Sequence, residues 1–371
     1  MLLKDLCDNN IGTYGIGASA CTYNEDYPVY LRITDISDDG KLLKPFRASI
    51  NPKDYPNWKD YILKMNDLVF ARTGNSTGRN YFHNTNEQLV YAGFLIRFSI
   101  NPSKVLPRYV GYYCQSESYW NQIKTFLEGS TRPTMNAELY KNLDIPIVGR
   151  ELQQHIVDTI GSVDDLIEKY QQILISIKKE RAFIFKNTIT IADYEEDVLK
   201  IIELENGAQP PKEVHIYVKK DGYVRFVQNR DYSSDSHLTY IPVSKRNHLC
   251  DKLDIMMDKY GEAGKVRYGI SGAFNVALLK IKPTKPYYRE YLRDFFSQES
   301  IQNILYLSSQ ASTRPSLNES TFTAIKIPML TDNNFVSYQN KLSNLIELEL
   351  RTLKKIEKLN VVKQHLLSKY F

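Results

Sequence analysis

The sequence predicts an α/β (α+β) protein with two tandem globular domains and two long helices that form an antiparallel coiled coil, with pseudo-two-fold symmetry. Three observations carry this prediction. The stretch GSTRPTMNAELYKNLDIPIV at 129–148 returns as ASTRPSLNESTFTAIKIPML at 311–330. A long amphipathic pattern follows each copy, and short runs typical of β-strands precede each copy.

The repeat keeps one spacing throughout. Ile-Pro at 145–146 recurs as Ile-Pro at 327–328, and the offset of 182 residues is close to half of the 371-residue chain. The other recurring residues are Ser130, Thr131, Arg132, Pro133 and Asn136, which return as Ser312, Thr313, Arg314, Pro315 and Asn318. A constant offset over this length indicates a tandem duplication.

The first globular domain is expected at 1–150 and the second at 190–330. The first contains YPVYLRITDI, DLVFARTG and LVYAGFLIRFSI, and the second contains HIYVKKDGYVRFVQ, DIMMDKYGEAGKVRYGI and NVALLKI. These runs are rich in Val, Ile, Tyr and Phe and are bounded by Gly, Asn and Asp, which predicts strands and turns. A shorter, aromatic helical piece closes each domain. The Gly-rich GTYGIGAS at 12–19 is expected to form a turn.

The helices are expected at 151–189, as a central spacer, and at 331–371. Apolar residues of the first recur at alternating steps of four and three, the seam of a coiled coil, while those of the second are less regular. These residues are Ile156, Ile160, Val163, Ile167, Tyr170, Leu174 and Ile177, then Leu342, Ile346, Leu350, Leu353, Ile356, Leu359, Val362 and Leu366. A long amphipathic helix must bury its stripe, and the other helix is the economical partner. Packing of each helix on its own domain is the alternative.

The composition and the motifs favour a binding protein. The net charge of +5 permits a polyanionic partner without demonstrating one. No run of eighteen apolar residues occurs, so a cytoplasmic protein without membrane contact is expected. The four cysteines are far apart, no zinc-type spacing exists, and no metal site is expected. GxxxxGK[ST], GxSxG and NPPY-like motifs do not occur, so the sequence predicts no catalytic site.

Several stretches together resemble the specificity subunit of a type I restriction-modification system. YGIGASACTYNEDYPVYLRITDISDDGKL, NDLVFARTGNSTG and LEGSTRPTMNAELYKNLDIPIVGRELQQHIVDTIGSVDDLIEKYQQ are similar to a target-recognition domain and the helix that follows it. In the second half, YVRFVQNRDYSSDSHLTYIPVSKRN, DIMMDKYGEAGKVRYG and SSQASTRPSLNESTFTAIKIPML repeat that order. The resemblance covers essentially the whole chain.

The resemblance implies a non-catalytic subunit in which two target-recognition domains read the two halves of a split double-stranded DNA site. Two methyltransferase subunits would dock on it, restriction subunits would be further partners, and partner subunits would methylate adenine. S-adenosylmethionine would be held by the methyltransferase partner and not by this chain. Alternatives are a type IIB, type IIG or methylation-only system. From a different class, the chain could be a duplicated protein-interaction module on a coiled-coil spacer.

Candidate DNA-binding residues come from loops that carry charge beside glycine or Asp. Arg79 follows GNSTG, and Lys265 and Arg267 follow GEAG, where Arg and Lys suit phosphates and Arg also suits guanine. Arg32 and Asp35 in RITDIS match Arg230 and Asp231 in QNRDYSS; these either read DNA or form internal ion pairs. The remaining candidates are Tyr232 and Ser233 of that loop, and Arg132 and Arg314 of the repeated stretch.

The repeated STRP stretch has two interpretations. Pro133 and Pro315 favour extended backbone before them, and Asn136 and Asn318 are suited to cap a short helix, which predicts a structural role. An exposed loop beside a helix start also suits a phosphate, which keeps Arg132 and its counterpart as DNA candidates.

Overall fold

The computed structural model describes residues 1–44, 46, 48–128, 134–232, 238–310 and 315–371. Three of the candidate DNA-binding residues, Ser233, Arg132 and Arg314, lie outside these ranges. The chain forms two compact units. Unit 1 comprises Met1–Ile167 and Lys358–Phe371, and unit 2 comprises Glu168–Glu357.

Unit 1 contains eight strands and four short helices within its described residues. In chain order they are α1 (Leu3–Leu6), β1 (Thr13–Tyr14), β2 (Cys21–Thr22), β3 (Val29–Leu31), β4 (Ala48–Ser49), β5 (Asp67–Ala71), β6 (Asn80–Phe82), β7 (Leu89–Tyr91), β8 (Leu95–Ser99), α2 (Pro107–Tyr113), α3 (Glu117–Leu127) and α4 (Ala137–Tyr140). One sheet has the order β1-β8-β5-β6 and is antiparallel, and the other has the order β2-β4-β3-β7 with β3 parallel to β7.

The long helix α5 (Arg150–Thr188) begins in unit 1 and ends in unit 2. The strands and helices that follow are β9 (Tyr194–Asp197), β10 (Ile202–Asn206), β11 (Tyr223–Val227), β12 (Tyr240–Pro242), β13 (Leu249–Cys250), β14 (Ile255–Asp258), β15 (Val266–Arg267), β16 (Gly272–Phe274), β17 (Leu278–Pro283), α6 (Arg289–Phe296), α7 (Glu299–Ser309), β18 (Lys326–Met329) and α8 (Asp332–Tyr370). Helix α8 begins in unit 2 and ends in unit 1.

Unit 2 repeats the first sheet of unit 1 and three strands of the second, but the fourth strand of its second sheet lies at the other edge. Its first sheet has the antiparallel order β10-β17-β14-β15, and its second has the order β12-β11-β16-β13 with β11 parallel to β16. A third, two-stranded sheet pairs β18 with β9. The α/β class and the tandem arrangement predicted from the sequence are therefore confirmed. The aromatic segment closing each domain forms two helices in each unit, not one.

The two long helices run antiparallel where they meet in each unit. In unit 1, the hydroxyl of Tyr370 lies 3.3 Å from Nε2 of His155, and Lys363 donates to Asp164 at 2.7 Å. Partner numbers fall as residue numbers rise, which defines an antiparallel pair. In unit 2, the ammonium of Lys355 lies 4.9 Å from the ring centre of Tyr170. The helices pack on their own domains as well, because Ile156 and Ile160 are buried in the core of unit 1.

One position of the predicted apolar stripe is wrong. Val362 is 46% exposed, whereas the neighbouring Lys363 is buried. The ammonium of Lys363 lies 5.8 Å from the ring centre of Tyr112 and donates to Asp164, so the buried charge has a partner. Burial lowers the pKa of Lys363 and Asp164 opposes that shift. At Lys363 the contact between the two long helices is therefore an ion pair with Asp164 instead of an apolar contact.

Asn136 and Asn318 begin short helical turns, as predicted. Oδ1 of Asn136 accepts a hydrogen bond from the backbone N–H of Leu139 at 2.9 Å, which caps α4. Asn318 occupies the N-cap position of a 3-10 turn at Glu319–Phe322 without a side-chain cap hydrogen bond: its N–H donates to Oγ1 of Thr321, and its Oδ1 accepts from Oγ of Ser320 at 2.5 Å. Asn136 and Asn318, each the third residue after a repeated STRP stretch, thus mark the start of a helical turn.

Candidate DNA interface

A hairpin loop with a glycine of positive φ as its third residue occurs in both units. In unit 1 it joins β5 to β6 over residues 72–79, and in unit 2 it joins β14 to β15 over residues 259–265. Gly74 has φ of +71° and Gly261 has φ of +72°. Side chains disfavour this region of backbone, so both loops need glycine where they turn.

In unit 1 the first residue of the loop, Arg72, lies at a meeting point of three segments. Its guanidinium is 5.0 Å from the ring centre of Tyr14, the last residue of β1. Its backbone carbonyl accepts a hydrogen bond from the N–H of Met135 at 2.8 Å. The N–H of Ala137 donates to the hydroxyl of Tyr14 at 3.1 Å. We call this meeting point the corner of unit 1.

Unit 2 has the same corner with different side chains. Lys259 is the first residue of the loop, and its ammonium donates to Oδ1 of Asn206, the last residue of β10, at 2.6 Å. Its backbone carbonyl accepts a hydrogen bond from the N–H of Leu317 at 3.0 Å. Leu317 follows Met135 by the repeat offset of 182, and both are fully buried. Each corner therefore joins a hairpin to the segment just after an STRP stretch.

A glycine makes each corner possible. The N–H of Gly15 donates to the carbonyl of Leu95, and a Cβ on Gly15 would overlap the carbonyl oxygens of Tyr91 and Ala92. A Cβ on Gly207 would in the same way overlap the carbonyl of Asn275. The backbones pass too closely at both crossings for any side chain. The turn expected at 12–19 is therefore wrong: this stretch passes over β7 in extended form.

The corners present cations beside aromatic rings. Tyr14 and Tyr260 are each 41% exposed, and the ammonium of Lys259 lies 5.8 Å from the ring centre of Tyr260. Such pairs can donate to phosphates while the ring packs on sugar or base. Sequence reasoning missed Arg72 and Lys259. Their signal was present, because each stands two residues before the turn glycine of its hairpin.

Of the candidates predicted in the hairpins, the ones nearest the strands are occupied by internal partners. Arg79 pairs with Asp38 at 2.5 Å. Arg267 pairs with the buried Asp258 at 2.7 Å and its side chain is 13% exposed. Burial raises the pKa of Asp258, and Arg267 opposes that rise. The ion pairs of these two arginines therefore stabilise the hairpin loops.

Lys265 remains the most accessible of the predicted hairpin residues. Its side chain is 41% exposed and its ammonium lies 2.7 Å from Glu262, three residues earlier. A pair at this exposure is weak, so a phosphate can compete for the lysine.

The candidates in RITDIS form the internal ion pair that was the alternative interpretation. Arg32 donates from Nε and NH2 to the two carboxylate oxygens of Asp35 at 3.0 Å each. The N–H of Arg32 also donates to Asp35, which is buried. The hydrogen bonds that Arg32 donates to the Asp35 carboxylate raise the pKa of Arg32.

The second loop is built similarly but leaves its arginine more exposed. Asp231 is buried and lies 3.6 Å from Nε of Arg225 and 3.9 Å from Nε of Arg230. The side chain of Arg230 is 53% exposed. The guanidinium of Arg267 lies 5.8 Å from the ring centre of Tyr232, so the structure brings this loop to the hairpin. DNA contact by any of the predicted residues stays a prediction.

Metal binding and membrane insertion also bear on function. Among the residues that the structure describes, no group of His, Cys, Asp and Glu is arranged to hold a metal ion. Within the same ranges, no helix is long and apolar enough to cross a membrane.

This chain is similar in sequence and in fold to known proteins. Residues 1–179 match the family model described as type I restriction modification DNA specificity domain. Residues 1–179 are therefore similar to a type I restriction-modification DNA specificity domain. The resemblance seen in the sequence is thereby confirmed.

A curated relative and a solved structure are also similar to this chain. The type I restriction enzyme MjaVIII specificity subunit of Methanocaldococcus jannaschii is 24% identical over 193 residues, which are 51% of this chain and 44% of that protein. The chain thus matches less than half the length of that curated relative. The crystal structure of a type I restriction-modification S subunit from M. genitalium has a TM-score of 0.50 and 15% identity. It covers 100% of this chain and 95% of that chain. At this identity the likeness shows a shared fold.

Proposed function

We propose that this chain is a sequence-specific DNA-binding specificity subunit that reads a bipartite site. The observation that carries the proposal is the repeated corner: a cation, a close backbone crossing and the segment just after an STRP stretch occur together in both units. Each corner belongs to a domain attached to a long helix. Two different side-chain sets on one scaffold suit two different half-sites.

The long helices suit the role of a spacer. Each has 39 residues and spans about 58 Å at 1.5 Å per residue. Since a turn of B-DNA is about 34 Å, helices of this length can separate two modules by more than one turn of the duplex. Under this proposal, the helices leave an unread gap between the two half-sites.

Catalysis in this proposal belongs to partner subunits. Methyltransferase subunits would hold S-adenosylmethionine and modify adenine, and restriction subunits would cleave. In support, Gly15 of the Gly-rich stretch 12–19 packs against the carbonyls of Tyr91 and Ala92, so at this position the backbone faces the protein and not a phosphate. A type IIB, type IIG or methylation-only assembly would use the same DNA-reading subunit.

Replacing Lys259 with alanine is expected to weaken DNA binding and to make it less sensitive to salt. A lysine that contacts phosphate releases about one counterion, so the slope of log affinity against log salt should fall by about one unit. Fluorescence anisotropy with a labelled duplex over a salt series measures both quantities. Lys326→Ala is the control, because Lys326 is an exposed lysine of β18 paired with Asp197. Equal salt slopes for Lys259→Ala and the unaltered chain would remove Lys259 from the interface.

Inserting one heptad into each long helix at the level of Tyr170 and Lys355 is expected to lengthen the preferred gap. Seven residues add about 10 Å. This equals about three base pairs at 3.4 Å each. A heptad rotates the helix by only about 20°, so the seam keeps its facing. Selection from a library of duplexes with random sequence measures the gap. An unchanged gap, with both helices still formed, would show that helix length does not set it.

A seven-residue insertion in the turn at Gly222 is the matched control. A Cβ on Gly222 has nothing within 4 Å, so this turn has room for extra residues. The gap should not change in this variant.

A further inference from the structure

A cluster of buried charges in unit 2 holds one end of helix α5. Arg181 of α5 donates from Nε to Oδ1 of Asp294 at 2.8 Å and from NH2 to Oε2 of Glu290 at 2.9 Å. Its NH2 also donates to Oδ2 of Asp294 at 3.0 Å. The side chains of Arg181 and Glu290 are 3% and 0% exposed. The long helix is thus joined to α6 of the domain by a two-pronged contact that is buried from solvent.

Helix α6 also contacts the second long helix, α8, through polar side chains. Arg293 of α6 forms an ion pair with the buried Glu349 of α8. The hydroxyl of Tyr338 in α8 donates to Oδ2 of Asp294 at 2.5 Å. Helix α6 is therefore tied to both long helices through charges that belong to one cluster.

The cluster also reaches the hairpin. The hydroxyl of Tyr268 donates to Glu349, and the guanidinium of Arg293 lies 3.6 Å from the ring centre of Tyr268. Tyr268 directly follows β15, the second strand of the hairpin that carries Lys259. The next residue, Gly269, is pressed on α8, since its Cβ would lie 2.9 Å from Cδ1 of Leu353. A shift of α6 against the long helices would therefore move the base of the hairpin.

Charges balance within the cluster. Arg289 adds a pair with Glu290 at 3.0 Å, so three arginines face the carboxylates of Glu290, Asp294 and Glu349. Buried ion clusters contribute little net stability compared with apolar packing, but they tolerate few arrangements because each displaced charge loses its partner. A forked guanidinium narrows the choice further, since two bonds fix its orientation.

Unit 1 places a cation at the equivalent position but lacks the fork. The repeat offset of 182 relates Arg181 to Lys363, Glu290 to Arg108 and Asp294 to Tyr112. Lys363 makes one ion pair, with Asp164 of α5, whose side chain is 21% exposed. Arg181 thus joins α5 to α6 of its domain through ion pairs, whereas Lys363 joins α8 to α5 and contacts its domain through the ring of Tyr112, 5.8 Å away.

We propose that the cluster of Arg181, Glu290, Arg293, Asp294 and Glu349 restricts the DNA gap to one length by fixing the unit 2 hairpin on the two long helices. Arg181 and Glu349 are positioning residues for the second half-site. This role rests on the proposed function, because it concerns the register in which that half-site is read.

The test is selection of the full chain on a duplex library with 30 random base pairs, followed by sequencing. Arg181→Lys keeps the charge and removes the fork, and Glu349→Gln removes one charge with little change of shape. Arg351→Lys and Glu347→Gln are matched controls, since those two residues form an exposed pair on the same helix α8. Circular dichroism and thermal unfolding establish that each variant folds.

Both cluster variants are expected to keep the two half-sites and to accept neighbouring gap lengths. The enrichment ratio of the best gap over the next should fall about tenfold, the size of a typical coupling between two sites. The controls should keep the original ratio. A folded Glu349→Gln or Arg181→Lys chain with the original ratio overturns the positioning role and leaves the proposed function standing. An unaltered chain that enriches no two-part motif overturns both.

Discussion

Replacing Arg181 with methionine is expected to lower the free energy of unfolding of unit 2 by about 3–5 kcal/mol. Methionine fills a similar volume but leaves Glu290 and Asp294 buried beside fewer cations. Burial already raises the pKa of Asp294, which shows how poorly this place tolerates an unpaired carboxylate. Urea unfolding followed by far-ultraviolet circular dichroism, with hydrogen exchange of α6, measures the loss.

The matched control is Arg351→Met. Arg351 pairs with Glu347 at 2.9 Å, but both side chains are more than half exposed. Such surface pairs contribute about 0–1 kcal/mol, so the midpoint should hardly move. Adding Glu290→Gln and Asp294→Asn to Arg181→Met should recover part of the loss, because no buried charge is then left alone. Equal midpoints for Arg181→Met and Arg351→Met would mean that the cluster is not closed to water.

Replacing Gly15 with alanine is expected to destabilise unit 1 by about 1–3 kcal/mol or more. The added methyl would overlap the carbonyl oxygens of Tyr91 and Ala92, and these belong to backbone that cannot rotate away. The corner at Arg72 should loosen with it, because Tyr14 precedes the crossing. Thermal unfolding and hydrogen exchange of β7 and β8 measure the effect.

Gly17→Ala is the control two residues away. Nothing lies within 4 Å of a Cβ at Gly17, so its replacement should change stability by less than about 0.5 kcal/mol. Gly207→Ala in unit 2 should behave like Gly15→Ala, since it has the same crossing. Similar stabilities for Gly15→Ala and Gly17→Ala would show that β1 and β7 can separate without cost.

The long helices and the duplication could be predicted because their signals are periodic and local. Ile156, Ile160 and Ile177 show the seam without any knowledge of the partner strand or helix. The fixed offset of 182 shows the repeat. Both the apolar spacing and the repeat offset can be seen in the sequence without knowing how the intervening loops fold.

The contacts that organise the site could not be predicted, because they join segments far apart in the chain. A charged residue such as Arg181 or Lys363 looks solvated in a helical pattern, and only the fold brings a carboxylate to it. The sequence predicts a turn residue at Gly15, because it does not show that the backbone at the end of β7 passes too close to Gly15 for a side chain. For Arg32 and Asp35, the sequence allowed both DNA contact and an ion pair, and the geometry shows the ion pair.

The central claim is that one chain reads two half-sites across an unread gap. Sequencing the methylated bases of cells that carry this chain together with a methyltransferase encoded beside it tests the claim most directly. The account predicts methylated adenines in a two-part motif with one fixed gap, absent from cells that lack this chain. Methylation of a single uninterrupted motif, or a pattern that does not change when this chain is removed, would contradict it.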